Sequence, residues 1–477
     1  MRQRSVVSLL TCTVLLIACA TEQPPPPERV AELDARQAPE VRFGKRLNLL
    51  SESPARVVGV ISRDGRAHVW AIGPSKTLHH IEVDASGNVS SERIGAVDEN
   101  LATMAFDAVE SRPGALRVLA GSSQFVRGTA GTGWQEVKGN QCVRFLAIAE
   151  VLYCGLVMSG EELGAPKRAD WYAGVFVIIP YAIPVQRQSR KLVIAEASGD
   201  TWVARTIVDV DDPLDAQPKF LMGADSGGNV HLVYAVGRGG ALLLFAPPGI
   251  GGAVPQAVLR YARVNSESLL PRVTAPGGEP IKPFALVSGH SITAPTDLYG
   301  GMSTSALANS ASFAFDPASG VLEGLVATVG GGQRGTGWRS GKAGFKGVFD
   351  VHLRSGKWDD HADVVLLNDW PTEGLDYVFP SGRPSVAFDS SGGLHALVPL
   401  CTEHPIWDPC KGAFSYLVKR GRRWSKPVMV KAPFDFHQDR WGQTLLLVGE
   451  ARSFAAWAEA RAGLVGRWIL PGETDAR

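Results

Sequence analysis

Little in this chain reads as helix. Past residue 46 no segment repeats its apolar residues at three- and four-residue spacing, and 53 glycines and 31 prolines cut the sequence into short runs. Charge of one sign is also missing. A formal net charge of +1 and the lack of any basic run exclude an electrostatic case for nucleic acid. No later segment offers the about 20 apolar residues that a transmembrane helix needs. Motifs of common chemistry are absent as well. Gly289-His290-Ser291-Ile292-Thr293 lacks the closing glycine of a nucleophile elbow, and no phosphate-binding glycine loop opens a helix. Asp209, Asp211, Asp212 and Asp215 have neither the spacing nor the distal glutamate of a calcium loop, so turn chemistry accounts for them. No metal, cofactor or catalytic set is expected from these residues.

What is present is an apolar fraction of 45%, ample for a core, delivered as strands. Leu78 to Asp84 alternates as a half-buried strand does. A repeat then emerges. Val60-Ile61 leads into Asp64-Gly65-Arg66-Ala67-His68, Phe220-Leu221-Met222 into Asp225-Ser226-Gly227-Gly228-Asn229-Val230-His231, and Val386-Ala387-Phe388 into Asp389-Ser390-Ser391-Gly392-Gly393-Leu394-His395. The unit is strand, Asp/Gly turn, apolar residue, histidine, strand, with glycine supplying the positive φ of the turn. Degenerate copies at Gly114–Arg117 and Asp316–Glu323 carry Arg117 or Glu323 where the histidine stood. A histidine that recurs at one place in each unit is there for the unit, its imidazole bonding the turn made by the nearby aspartate. His80 and Glu82 share a strand face, but two ligands make no metal site.

A second unit follows the first: strand, glycine turn, tryptophan, strand, as at Gly199-Asp200-Thr201-Trp202, Gly356-Lys357-Trp358 and Gly421-Arg422-Arg423-Trp424. Gly131-Thr132-Gly133-Trp134 and Gly335-Thr336-Gly337-Trp338 are identical. Two hairpins in succession make a four-stranded antiparallel sheet, the blade of a β-propeller. The expected fold is therefore all-β, a propeller over residues 46–472 with six or seven blades, seven favoured. Leu464 to Leu470 are expected to close it against Leu47 to Leu50. Two stretches, near 161–190 and 242–310, break the repeat and read as insertions.

In this pattern the chain resembles the sialidase-like propellers with BNR-type repeats. The resemblance spans residues 46 to 470, but the full Ser-x-Asp-x-Gly-x-x-Trp box is absent, and Ser198-Gly199-Asp200-Thr201-Trp202 is a shortened echo. Sialidases of this fold use an arginine triad whose first member lies in an Arg-Ile-Pro-like motif; Arg93-Ile94-Gly95 does not match it, so sialidase activity is not expected.

The N-terminus has a basic start (Arg2, Arg4) and an apolar core from Val6 to Ile17. Leu16-Ile17-Ala18-Cys19 resembles the lipobox of bacterial lipoproteins. That resemblance implies a signal peptide over residues 1–18, lipid (palmitate among its chains) on Cys19, and a cell-envelope location. Ala20 after the cysteine implies the outer membrane. Residues 19–45, with Pro24 to Pro27, read as an extended tether. In an oxidising compartment Cys142 and Cys154, and Cys401 and Cys410, are expected to form disulfides.

Trp171, Tyr172, Trp407 and His290 are the candidate ligand-binding residues; Trp407 sits inside the loop bounded by Cys401 and Cys410. The function expected is a lipid-anchored, non-catalytic binding or scaffold protein for a protein or glycan partner. The alternative is a glycan hydrolase or lyase with acidic residues in the central cleft, Asp297, Asp435 and Asp439 near His437 and Arg440.

Overall fold

The computed structural model describes residues 41–97, 104–129, 133–138, 142–156, 192–198, 202–205, 222–232, 263–265, 312–316, 323–325, 384–399, 414–425, 427–430, 444–459 and 462–471 in full, and further strands by their backbone. The described residues are strands and turns, with no helix, so none among them crosses a membrane as a helix.

Six antiparallel sheets are built from consecutive segments. Blade 1 takes Arg56–Ile61, Ala67–Ile72, Thr77–Val83 and Val89–Ala96; blade 2 takes Phe106–Arg112, Ala115–Ala120, Ser123–Arg127 and Gln135–Val137. Blade 3 takes Cys142–Ile148, Val151–Ser159, Arg190–Ser198 and Thr201–Val208; blade 4 takes Leu221–Ala224, Val230–Arg238, Gln256–Val264 and Thr296–Ser303. Blade 5 takes Ala311–Phe315, Leu322–Thr328, Gly347–Arg354 and Asp363–Val365. Blade 6 takes Ser385–Phe388, Leu394–Cys401 and Cys410–Arg420, whose outer side is shared by Arg423–Ser425 and Val428–Phe436. A seventh sheet, Thr444–Val448, Ser453–Glu459 and Gly463–Pro471, is completed from the other end of the chain by Leu47–Leu50. The first strands of these sheets adjoin in turn and the last adjoins the first, so they close a ring. The chain is thus a β-propeller.

The Asp/Gly units are the turns between first and second strands, where Gly65, Gly228 and Gly392 all have positive φ. Asp389 shows why aspartate opens them. Its Oδ1 accepts the backbone N–H groups of Ser391 (2.9 Å) and Gly393 (2.7 Å), satisfying turn donors that no strand reaches. Asp225 does the same for Gly227 and Asn229. The glycine–tryptophan turns ending at Trp134 and Trp424 follow the third strands of blades 2 and 6, whereas Gly335 to Trp338 lies outside the described residues, between the second and third strands of blade 5. Trp424 is fully buried between blades 5 and 6 with Leu325, Leu394 and Leu417.

Blade interfaces form the core. Trp70, Leu78, Phe106, Val118 and Phe125 fill the space between blades 1 and 2, and Leu47, Ile81, Phe454 and Trp468 that between blades 7 and 1. Cys142 and Cys154 form a disulfide across the first hairpin of blade 3, with Cα atoms 5.7 Å apart; closing so short a loop contributes about 3 kcal/mol in the chain-entropy account. Cys401 ends one strand and Cys410 begins the next, and their side chains lie outside the described residues.

One expectation needs correction. The stretch 242–310 is not wholly an insertion, because it supplies the third and fourth strands of blade 4, Gln256–Val264 and Thr296–Ser303. Its glycines and prolines hid two strands whose partners are set by register and not by turn signals. Residues 161–190 do depart from the repeat. They hold a separate hairpin, Arg168–Phe176 with Ile179–Arg187, between the second and third strands of blade 3.

Ring closure turns on Gly463. Its φ is +79°, and a Cβ there would lie 2.1 Å from the Leu50 carbonyl oxygen. Gly65 has the same sign of φ (+83°) but open space around it. Gly65→Ala therefore costs about 1 kcal/mol of backbone strain, whereas Gly463→Ala must also push the closing strand away. In urea unfolding the second variant is expected to lose at least twice the stability of the first; equal losses would contradict this account of closure.

Candidate functional site

The most elaborate polar arrangement among the described residues lies on the seam between blades 1 and 2. His68 sits on the second strand of blade 1, His80 and Glu82 on the third, and Glu92 on the fourth. Alternation puts these side chains on the face that packs against blade 2. Trp134, just before the last strand of blade 2, reaches back across the seam. Its ring meets His80 edge-on at 5.0 Å and Trp70 at 6.0 Å.

A chain of hydrogen bonds runs from the buried turn to the surface. Glu92 Oε1 accepts from His80 Nδ1 (3.0 Å) and from the Trp134 indole N–H (2.9 Å). A carboxylate only accepts, so neutral His80 carries its proton on Nδ1 and its Nε2 accepts from His68 Nδ1 (3.1 Å). His68 Nε2 in turn faces the Ser62 hydroxyl at 3.1 Å. Ser62 shares its one proton among His68, the Asp64 carboxylate and the Arg66 carbonyl. His68 and His80 are buried, with rings parallel within 8°.

Above this buried base lies a charged ridge. Arg66 pairs with Glu82, and Arg127 of blade 2 stands 3.9 Å from Glu82 and 3.7 Å from Glu92. The Glu92 side chain remains 50% exposed. Burial opposes its ionisation, but the bonds from Trp134 and His80 outweigh burial and hold it below the usual carboxylate range. Burial, reinforced by the neighbouring His80, lowers His68 to about 4. Burial also lowers His80, against the pull of Glu92. The seam therefore presents a carboxylate fixed in place, a guanidinium and an indole edge, over two neutral imidazoles. Such a set can accept and donate hydrogen bonds to a polyhydroxylated ligand. Ser62, the hydroxyl of the set, is buried.

The other repeat histidines have simpler duties. His231 Nε2 donates to Asp225 (3.1 Å) and His395 Nε2 to Asp389 (2.9 Å), each in its own turn, as the repeat leads one to expect. His395 Nδ1 then accepts from the buried Tyr416 hydroxyl, whose pKa burial raises. Among the described residues no three His, Cys, Asp or Glu side chains form a group able to hold a metal ion.

The residues singled out in the sequence fall elsewhere. Trp171 and Tyr172 are on the hairpin inserted in blade 3, and their side chains lie outside the described residues. Trp407, His290, Asp439, His437 and Arg440 lie outside the described residues, as do Asp209, Asp211, Asp212 and Asp215. Asp297 and Asp435 are on the outermost strands of blades 4 and 6, not on the first strands that form the ring. They are therefore not brought together at a central cleft. Sequence reasoning missed the seam because its members come from separate hairpins and two blades. The signals that could have found it are Trp134 in its Gly-Thr-Gly-Trp turn and the alternation of His80, Glu82 and Glu92.

No family model matches this chain, and no curated protein does. Among solved structures it is similar to the lectin of Aleuria aurantia in complex with a fucosylated sugar, at 9% identity and TM-score 0.37 over 90% of this chain and 99% of the lectin. It is similar to an ulvan lyase (10%, TM-score 0.32, 90% and 85% covered). The NanB sialidase from Streptococcus pneumoniae is a further similar structure (9%, TM-score 0.35, 96% and 72% covered). The functional argument rests on the side chains.

The buried histidines make stability depend on pH. Their folded pKa values lie below the 6.5 of an exposed imidazole: about 4 for His68, and lowered for His80, His231 and His395 by burial first. Between the two values the unfolded chain binds more protons, so stability rises with pH in that window and is lost as pH falls from 6.5 towards 4. His68 alone accounts for on the order of 3 kcal/mol. Urea unfolding should show the midpoint dropping from pH 7 to pH 5, with a shallower drop in His68→Asn. A flat wild-type profile would rule out neutral buried histidines.

Proposed function

We propose that this chain is a non-catalytic carbohydrate-binding protein of the cell envelope, carried on a membrane by lipid at Cys19, with the seam between blades 1 and 2 as its sugar site. One observation carries the reading: Glu92 is half exposed yet held by bonds from His80 and Trp134, with Arg127 beside it. A surface carboxylate ordinarily spends entropy when it engages a ligand, and one already fixed avoids that cost. Indole, carboxylate and guanidinium together match the hydroxyls and apolar face of a sugar ring. Asp64, Glu82 and Glu92 set against Arg66 and Arg127 leave one negative charge among the described side chains when the histidines are neutral. That balance favours neutral over acidic sugars. The glycan class of several similar structures agrees with the reading and adds no weight to it. Anchoring is supported by the Leu16-Ile17-Ala18-Cys19 motif and outer-membrane placement by Ala20.

The test is calorimetric titration of the protein with a panel of neutral and acidic envelope oligosaccharides. A neutral oligosaccharide is expected to bind, and Glu92→Gln and Arg127→Met each to weaken it about tenfold or more, roughly 1.4 kcal/mol, while the unfolding midpoint of Arg127→Met stays near wild type. Binding that survives both substitutions would remove the seam from consideration. Separately, an alkyne-bearing fatty acid fed to cells should label the chain, and Cys19→Ser should abolish the label. Label that persists in Cys19→Ser would exclude the anchor.

A further inference from the structure

We infer that residues 29–34 are not part of a free tether but a strap that docks on the outer edges of blades 5 and 6. Arg29 and Val30 pair parallel with Asp363 and Val364, on the outermost strand of blade 5. Leu33 and Asp34 pair parallel with Trp424 and Ser425, on the outer side of blade 6. Val41–Phe43 then pairs with Ile469 to Pro471 of blade 7, and Leu47–Leu50 with Leu464 to Gly466 of the same sheet. The N-terminal segment thus visits blades 5, 6 and 7 in order around the rim and adds backbone to each.

Physical need and position agree. The outermost strand of a blade presents unpaired N–H and C=O groups, a template for pairing with other chains. Blade 1 protects its outer strand, Val89–Ala96, with a run of exposed polar residues from Ser90 to Arg93. Blade 6 has less such protection at Arg423–Ser425, where only Arg423 is exposed; Trp424 and Ser425 are 1% and 2% exposed and serve the core. A strand committed to the core cannot carry the charges that guard an open edge, and the strap supplies pairing in their place. Parallel pairing also fits a segment that enters from outside the sheet order and not by a hairpin. If Cys19 carries lipid as proposed above, the ten residue steps from it to Arg29 span at most about 35 Å. The rim at blades 5 and 6 would then be the side held towards the membrane.

Amide hydrogen exchange of the full chain tests the strap without any ligand or membrane. Val30→Pro with Asp34→Pro removes two backbone donors from the strap. Residues 363–365 and 423–425 should then exchange about tenfold faster or more, with Ala67–Ile72 of blade 1 unchanged as the control for folding. Unchanged exchange at both edges overturns the proposal. A second variant decides the matter should the prolines prevent folding. Arg29→Cys with Asp363→Cys should form a cross-link on oxidation, mapped by peptide mass. A yield no greater than that of Arg29→Cys with Gln135→Cys, on the distant blade 2, overturns the proposal equally.

Discussion

Ring closure is the constraint on which the rest depends. Blade 7 has three strands of its own after residue 444 and takes Leu47–Leu50 from the far end of the chain. Until that pairing forms, the Gly463–Pro471 edge of blade 7 is open, and the core between blades 7 and 1 lacks Leu47 and Leu49. The closing strand runs against Gly463, where no side chain fits. A single small residue therefore admits the strand that makes the ring, and every interblade core follows from the ring being complete. The cost is a contact of long sequence separation, whose loop-closure entropy is offset only when both flanking interfaces pack.

Within that ring, local chemistry does the repeated work. In blades 4 and 6 an aspartate opens the first turn, accepts its stray N–H groups and seats a histidine from the next strand. The imidazole is buried, so it must be neutral, and a neutral imidazole has one donor and one acceptor to satisfy. In blade 6 the second nitrogen is satisfied by Tyr416. Where the histidine is replaced, charge is balanced differently: Glu323 of blade 5 pairs with the buried Lys419 of blade 6 at 3.1 Å.

This explains how much the sequence could reveal. The hairpin units and the all-β class are local or near-periodic signals, and of the expected closing segment Leu464 to Gly466 meet Leu47 to Leu50 while Ile469 to Pro471 meet Val41 to Phe43. Strands Gln256–Val264 and Thr296–Ser303 left no such signal, because 31 residues separate them in place of a short turn and Gly300 and Gly301 interrupt the alternation of the second. The seam was illegible for a different reason. Trp134 belongs to blade 2 and Glu92 to blade 1, and they meet only because consecutive blades stack face to face. Proximity of that kind is a property of the ring and is not written in any one hairpin.

The seam and the structural histidines are nonetheless one device. In blade 4 the turn aspartate bonds its histidine directly, and the imidazole ends against Phe315 of blade 5 at 5.3 Å. In blade 1 Ser62 stands between the aspartate and His68, which moves the imidazole's free nitrogen towards the neighbouring strand. His80 occupies that strand and carries the bond outward to Glu92. In blade 6 the unit likewise passes from His395 to Tyr416 on the third strand, and in blade 1 it is carried one step further, to Glu92 at the surface. The binding reading gains from this, because the same burial that makes these histidines neutral also fixes the carboxylate that a ligand would meet. Rigidity at Glu92 then needs no separate origin: it is inherited from the turn that builds every blade of this type.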